Sequence, residues 1–501
     1  MRAFLMNAQL FHLPMAKMLA ERGLDIRLVF EVHHAPPTDM ASYREALPQA
    51  DLLEAFEMRG AVVPAWLRAR VHPAAVDDVI AAEPYESMGL QMMCRRNARG
   101  MSVPEMRTIY LRYVGIWRAL LDLHRPQVVI FHGTPHQGHD LVLYALCRKD
   151  GIRTLIFERT FFADRVCFRE ALDDAPKPTA KEIQKYLEAP EEALGGRDAN
   201  AWYVHNAVVH DLTSIAESLS ARGLARQLIN PWQLRHALER VHHPIHGLAQ
   251  DKPLRFVHNL YDVVGRLRTS VAFRAYQAVS EEPIAGEDYV YYPMHYQPER
   301  TTLPDGGRYS DQLYVIDVLT ASLPPGWMLY VREHPRQFRT GVLWSKTRSR
   351  AYYEHLRRNP RVRLITLETS ADALVAGSRA VATITGSTGW EAVLRGKPVL
   401  FFGEPWYAHC PGATRVRDAG DCTQQLARVA RGEWRSKARQ ARAFGAALRA
   451  NHAFEGVFTN ALLQLTGLSA EENARKYVGP LCERLALRPE MGALARASDG
   501  L

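Results

Sequence analysis

Apolar positions along this chain fall into short runs separated by longer stretches with helical spacing, the rhythm of alternating strands and helices. Arg2 to Met6 reads as a buried strand, and Leu13 to Arg22 carries apolar residues at helical intervals. Gly23 stands where a helix commonly ends in left-handed backbone, ahead of a strand over Ile26 to Phe30. The next hundred residues are mainly helical in pattern, and Ser102-Val103-Pro104-Glu105 matches a capping box opening a helix to His124. A second unit follows: a strand at Val128 to Phe131, a loop from His132 to Gly138, a helix through about Lys149 ended by Gly151, and a strand at Thr154 to Phe157. Short β-branched strands alternating with helices predict a parallel sheet, with function at the strands' carboxyl ends.

Residues 170 to 280 offer no defensible strand and read as helical and polar, interrupted by Pro176, Pro178, Gly195-Gly196 and Asn230-Pro231. The α/β rhythm resumes near 287. Strands are expected at Tyr289 to Tyr292, Met328 to Val331, Val362 to Ile365, Ala380 to Ile384 and Pro398 to Phe402. Helices are expected at Tyr309 to Leu323, Ser349 to Arg358, Ser370 to Ala376 and Trp390 to Leu394. The expected fold is α/β, with two Rossmann-like doubly wound domains facing a cleft (the GT-B architecture) and a helical insertion between them. The domain ranges are 1–170, the insertion 171–285, the second domain 286–460, and C-terminal helices 461–501 that pack back on the first domain. No internal repeat or low-complexity tract is present.

Composition adds limits. At 501 residues, two domains of roughly 200 residues are expected, and 47% hydrophobic with 23% charged residues is ordinary for a globular chain. The six cysteines are scattered without a C-x-x-C pair, which points to reduced thiols, a cytoplasmic setting and no structural zinc. A formal charge of +9 favours anionic partners such as nucleotide phosphates, acidic glycans or an anionic membrane face. No block of consecutive basic residues suggests nucleic acid. The apolar start of the chain is broken by Asn7, Gln9 and His12, unlike a signal peptide, and no run is long enough to span a bilayer.

The strongest local chemistry is Thr385-Gly386-Ser387-Thr388-Gly389-Trp390-Glu391, where a strand passes through glycines and hydroxyl residues into a helix. Backbone N–H groups and the helix dipole at such a junction suit a phosphate, each contact contributing about 0.3–1 kcal/mol. Ser387 and Thr388 add donors, Gly389 allows close approach, and Glu391 is placed to take a ribose hydroxyl. The plain alternative is an ordinary helix start. His334-Pro335, at a strand end in the same domain, can donate to a phosphate from a stiffened turn. The loop 293–302 gathers His295, Gln297 and Glu299 at another strand end, a lining suited to a sugar. In the first domain, His132 to His136 occupy one strand end, with Asp140 in the following helix, and Glu158 occupies another. Glu158 is the first candidate for a catalytic carboxylate and Asp140 the second. His136 is placed either to stabilise a departing phosphate or to cap its helix. The structural alternative pairs Glu158 with Arg159 or Arg153.

With these motifs in place, the chain resembles the bacterial capsule polysaccharide biosynthesis family, which includes retaining transferases of 3-deoxy-manno-octulosonic acid (Kdo). The resemblance is carried by Tyr292 to Glu299, by Tyr330-Val331-Arg332-Glu333-His334-Pro335, and by Thr385 to Pro398. It continues through Phe402-Gly403-Glu404-Pro405-Trp406-Tyr407 and Cys410-Pro411-Gly412. Glu404-Pro405 departs from the small or amide residue expected there. The resemblance implies a GT-B glycosyltransferase with a cytidine monophosphate (CMP)-linked donor bound mainly by the C-terminal domain. His334, Ser387 and Thr388 would meet the phosphate and Glu391 the ribose. The catalytic carboxylate and the acceptor, a surface polysaccharide or lipid-linked glycan, would belong to the N-terminal domain. No cofactor or metal is expected, and location at the inner face of the membrane, through peripheral association, is compatible with the charge. Two alternatives stand beside this: a CMP-releasing polyol-phosphate transferase of the teichoic-acid type, and a catalytically silent glycan-binding assembly subunit.

Overall fold

A computed structural model describes residues 1–31, 37–54, 58, 61–96, 101–160, 162, 164–190, 194, 255–297, 299–338 and 347–487. Most of the expected helical insertion at 171–285, with Gly195-Gly196 and Asn230-Pro231, lies outside the described residues, as does Pro298. The described residues form two compact units. One is built from residues 1–178 and 446–487, the other from 179–194 and 255–445.

The first unit begins β1 (Arg2–Ala8), α1 (Leu13–Glu21), β2 (Asp25–Glu31) and β3 (Asp51–Glu54). Helix α2 (Val103–His124) starts as the sequence predicts. Ser102 accepts the Glu105 N–H, and the Glu105 carboxylate accepts the Ser102 N–H at 2.6 Å, a cap worth about 1 kcal/mol. It is followed by β4 (Val128–Phe131), α3 (His139–Lys149), β5 (Arg153–Arg159) and β6 (Arg165–Arg169). Phe4 and Met6 enter the core on one face of the sheet, with Trp117. Ala3 and Leu5 enter the core on the other, so both faces are buried, as a parallel sheet requires.

The second unit contains α4 (Arg255–Val279), β7 (Tyr289–Pro293), α5 (Gln312–Ser322), β8 (Met328–Arg332), α6 (Arg350–Arg358) and β9 (Val362–Leu364). It continues with β10 (Ala380–Thr383), α7 (Ser387–Leu394), β11 (Val399–Phe401) and β12 (Ala413–Arg415). All neighbouring strands pair in parallel, in the order β12-β11-β10-β7-β8-β9. Helix α4, expected as part of an insertion, contributes Ala272, Phe273 and Tyr276 to this unit's core.

The chain then returns to the first unit with β13 (Ala453–Glu455) and α8 (Ala470–Leu485). The first sheet runs β13-β6-β5-β4-β1-β2-β3, with β6 antiparallel to β5 and β13 antiparallel to β6. Residues 446–460, expected in the second domain, therefore belong with the first. Their strand Ala453–Glu455 closes that sheet's edge on β6, and no apolar alternation announces it. Helix α8 packs on α1. Both units are doubly wound α/β folds. No helix among the described residues is long and apolar enough to cross a membrane.

Candidate functional site

In the second sheet the chain leaves β7 toward β8 and β9, and later builds β10, β11 and β12 on the other side. The winding reverses between β7 and β10. Loops at the carboxyl ends diverge at such a point and open a crevice, the usual ligand position in a doubly wound sheet. His295, just past β7, and Gly386, just past β10, meet there. His295 Nε2 lies 3.3 Å from Thr383 Oγ1, and Nδ1 lies 3.3 Å from Thr301 Oγ1. The His295 backbone is clasped by Gln312, whose amide accepts its N–H and donates to its carbonyl, both at 2.8 Å. Gln337 clasps Gln297 in the same way, at 2.7 and 3.3 Å, while Gln297 Nε2 donates to Thr302 at 2.7 Å. The loop is therefore a fixed wall. Burial, reinforced by the Arg348 charge, pushes the His295 imidazole down to about 4, so it is neutral at pH 7.

Gly386 is the N-cap of α7, and its N–H donates to Thr383 Oγ1 at 2.9 Å. A Cβ here would sit 2.7 Å from that oxygen and 3.3 Å from the His295 ring. At Gly389 a Cβ would come within 2.3 Å of the Tyr407 hydroxyl, which donates to the Gly386 carbonyl at 2.6 Å. The glycines thus permit Tyr407 and His295 to press against the turn. Ser387 and Thr388 occupy the first helical turn, half-buried, where the helix dipole is positive. Glu391 is half-buried one turn on. Burial raises the phenols of Tyr291 (to about 12) and Tyr407, and the Glu391 carboxylate adds to both shifts.

The third wall follows β8. His334 Nδ1 accepts the Arg336 N–H at 3.1 Å, which leaves the proton of the neutral ring on Nε2, the atom able to donate to a phosphate oxygen. Its ring lies 5.0 Å from Tyr296, beside the 293–297 loop, and Pro335 is buried behind it. Glu333, preceding it, is fully buried and binds Arg348 Nε at 2.6 Å and the Tyr353 hydroxyl at 2.9 Å. Arg348 also donates to the His295 carbonyl at 3.3 Å, so one buried ion pair ties the His334 turn to the His295 loop. Glu299 stands 4.0 Å from His295 Nδ1, with its carbonyl closing the turn on Leu303. The departure at Glu404 has a structural account: its carboxylate pairs with Arg415 on the edge strand.

These walls bring together His295, Gln297, Glu299, His334, Pro335, Ser387, Thr388, Gly389 and Glu391 at the carboxyl end of one sheet. Reasoning from the sequence gave no site role to Thr383, Gln312, Tyr407 or the Glu333–Arg348 pair. Thr383 carried a signal, a hydroxyl at the last strand position before the glycines. Arg348 carried none, being 53 residues from the carbonyl it binds.

In the first unit the winding reverses between β1 and β4. Asp140 is fully buried at the start of α3 and accepts the His136 N–H at 2.8 Å and the Gln137 N–H at 2.7 Å. Burial pushes its carboxyl up to about 6 despite those bonds. His136 Nδ1 lies 2.8 Å from the Thr134 carbonyl, and Gln137 Nε2 lies 3.1 Å from its Nε2. Asp140, and not His136, satisfies the loop's N–H groups. Glu158 is buried and pairs with Arg169 Nη1 at 2.8 Å, with Thr134 Oγ1 3.5 Å away. Its partner is thus on the antiparallel strand β6, not Arg159 or Arg153, because β6 folds back beside β5. His136, Asp140 and Glu158 share one strand-end cluster, each engaged in protein bonds. Nearby, His132 and His12 pair through their Nε2 atoms at 2.8 Å, both buried.

Residues 305–444 match the family model described as capsule polysaccharide biosynthesis protein. That stretch holds Glu333, His334, Arg348, Thr383 and all of α7. No curated protein matches the chain. Among solved structures, a Thermosulfurimonas dismutans KpsC, described as a beta Kdo 2,7 transferase, is similar at 10% identity and a TM-score of 0.33, covering 95% of this chain and 99% of that one. Anabaena Alr3699/HepE in complex with UDP is similar at 10% identity and a TM-score of 0.30, over 97% and 99% of the two chains. Methanocaldococcus jannaschii UDP-GlcNAc 2-epimerase, in complex with UDP-GlcNAc and UDP, gives 10% identity and a TM-score of 0.26, over 90% and 99%.

Proposed function

We propose that this chain is a glycosyltransferase of capsule-type polysaccharide synthesis that takes a sugar, Kdo or a related ulosonic acid, from a CMP-linked donor. The observation that supports this most is the meeting of His295, Thr383 and the Gly386 N-cap at the winding reversal of the second sheet. The capsule-synthesis segment covers two of that site's three walls.

The donor phosphate lies against Ser387, Thr388 and the first turn of α7, with His334 Nε2 donating from the side. The helix dipole, hydroxyls and imidazole balance the charge of the phosphate. Neutral His295 and Gln297 line the sugar side, and Glu391 takes the ribose. Transfer breaks the bond between the anomeric carbon and the phosphate oxygen, leaving CMP. It forms a bond from that carbon to an acceptor hydroxyl of a glycan or glycolipid, whose proton passes to a carboxylate. Asp140, whose burial raises it to about 6, has the proton affinity suited to a base near neutral pH. Glu158, bound to Arg169, organises the cluster.

CMP release from CMP-Kdo in the presence of a capsule-type glycolipid tests this reading. The wild type is expected to release CMP and extend the acceptor by one residue through a glycosidic bond. A phosphodiester product, or no release with any CMP-linked sugar, would overturn it. A glycosyl adduct on Asp140 or Glu158 in trapped enzyme would assign the carboxylate as nucleophile in place of base.

A further inference from the structure

At the amino end of the first sheet, opposite the strand ends that carry Asp140 and Glu158, the surface holds a groove of about 590 Å³. One wall is the strap through Arg70 and His72, the other is the last turns of α2 with Arg125, and Arg2 at the start of β1 closes the end. Ala69 and Ala119 add small apolar side chains to the lining. The strap lies hard against the helix: a Cβ on Gly115 would sit 2.6 Å from the His72 carbonyl, so glycine at that helical position sets the groove's width.

The charge in this groove is unbalanced. Several arginines elsewhere among the described residues are bound to carboxylates, as Arg118 is to Asp78 and Asp150, Arg363 to Glu281 and Glu287, and Arg417 to Asp421. Among the described residues, no carboxylate pairs with the side chains of Arg2, Arg70 or Arg125. The acid in the lining, Asp122, faces Arg118 at 3.5 Å. Arg125 also occupies a backbone position unusual for it, with φ +46° directly after α2. Several other positive-φ positions just after helices, at residues 23, 151, 396, 432 and 467, are glycine, the residue that adopts this conformation without steric cost. Ala486 also takes such a position, but an arginine there adds a charge that glycine or alanine does not supply.

We propose that this groove binds a phosphate anion, held by the guanidinium groups of Arg2, Arg70 and Arg125. Guanidinium forks match phosphate oxygens bidentately, and three of them around a single concavity suit a diphosphate or a phosphorylated headgroup better than a monovalent ion. The site lies at the opposite end of the sheet from the first unit's strand-end cluster and shares no residue with the donor site in the second unit. It can hold a phosphorylated glycolipid or membrane headgroup, or a free phosphate compound.

The test uses the full chain carrying Ser387→Ala and Thr388→Ala, so that the other phosphate site does not contribute. Binding is measured by titration with inorganic pyrophosphate, and by flotation with phosphatidylcholine vesicles with or without phosphatidylglycerol. The same chain with Arg70→Ser and Arg125→Gly added is compared, glycine being chosen because it fits the left-handed position and preserves the helix end. Binding to one or both probes, weakened tenfold or more by the added pair, is the expected result. Pyrophosphate binding without vesicle flotation assigns a free phosphate compound. Flotation that depends on phosphatidylglycerol assigns a lipid headgroup. Failure of both probes to bind, or equal binding by the two chains, would overturn the proposal.

Discussion

His295 Nε2 lies 3.3 Å from Thr383 Oγ1, and the same oxygen accepts the Gly386 N–H at 2.9 Å. One hydroxyl thereby joins the loops on either side of the winding reversal. Thr383→Val keeps the volume and removes both bonds, leaving a part-buried N–H unsatisfied at a cost of about 1–3 kcal/mol. The expected outcome is a lowered unfolding midpoint and at least tenfold weaker CMP binding, measured by thermal unfolding and calorimetry.

The Gly389–Tyr407 contact predicts a non-additive pair. Gly389→Ala places a methyl 2.3 Å from the Tyr407 hydroxyl oxygen and is expected to destabilise the second unit by about 1–3 kcal/mol. Tyr407→Phe removes that oxygen. The double variant should therefore lose less than the sum of the single losses, measured as a coupling energy from urea unfolding.

Glu333 and Arg348 form a buried pair that also holds the His295 carbonyl. Arg348→Met leaves the carboxylate buried and unpaired, and a loss of about 3–5 kcal/mol is expected. Adding Glu333→Gln should recover much of the stability but not CMP affinity, since the tie to the His295 loop stays broken. Denaturant unfolding and calorimetry on both variants check this.

The pH dependence has a defined sign. His295 and His132 are pushed from 6.5 to about 4 by burial, so each contributes stability that is full above pH 6.5 and lost as pH falls through 4. A shift of that size corresponds to about 3 kcal/mol per group. Asp140, raised from 3.8 to about 6, acts oppositely: its contribution is full below 3.8 and lost as pH rises through 6. Urea midpoints at pH 7.5 and 4.5 are expected to fall less for His295→Gln than for the wild type in the second unit's transition.

Much of this was legible in the sequence because strands buried on both faces are continuous apolar runs. Val128–Phe131 and Ala380–Thr383 are such runs, and glycines at 23, 151 and 396 mark helix ends by their positive φ. Strands β6 and β13 were not legible. Arg165–Arg169 is mixed in polarity, and its partner Ala453–Glu455 lies nearly three hundred residues away. For the same reason the domain boundary near 446 left no mark. The candidate site could be picked out in the sequence where its groups are local, as in Thr385 to Glu391. It was hidden where they are joined at long range, as with Gln312 clasping His295 or Arg169 claiming Glu158. Chemistry-bearing residue types show themselves in a sequence, but the bonds that already occupy them do not.

The central claim is that the reversal point of the second sheet holds a cytidine nucleotide. Calorimetric titration of the full chain with CMP, without added metal, tests it most directly. Saturable binding is expected, with affinity reduced at least tenfold by His334→Ala combined with Ser387→Ala and unchanged by Asp140→Asn. No binding by the folded wild type, or equal binding by the His334→Ala/Ser387→Ala chain, would contradict it.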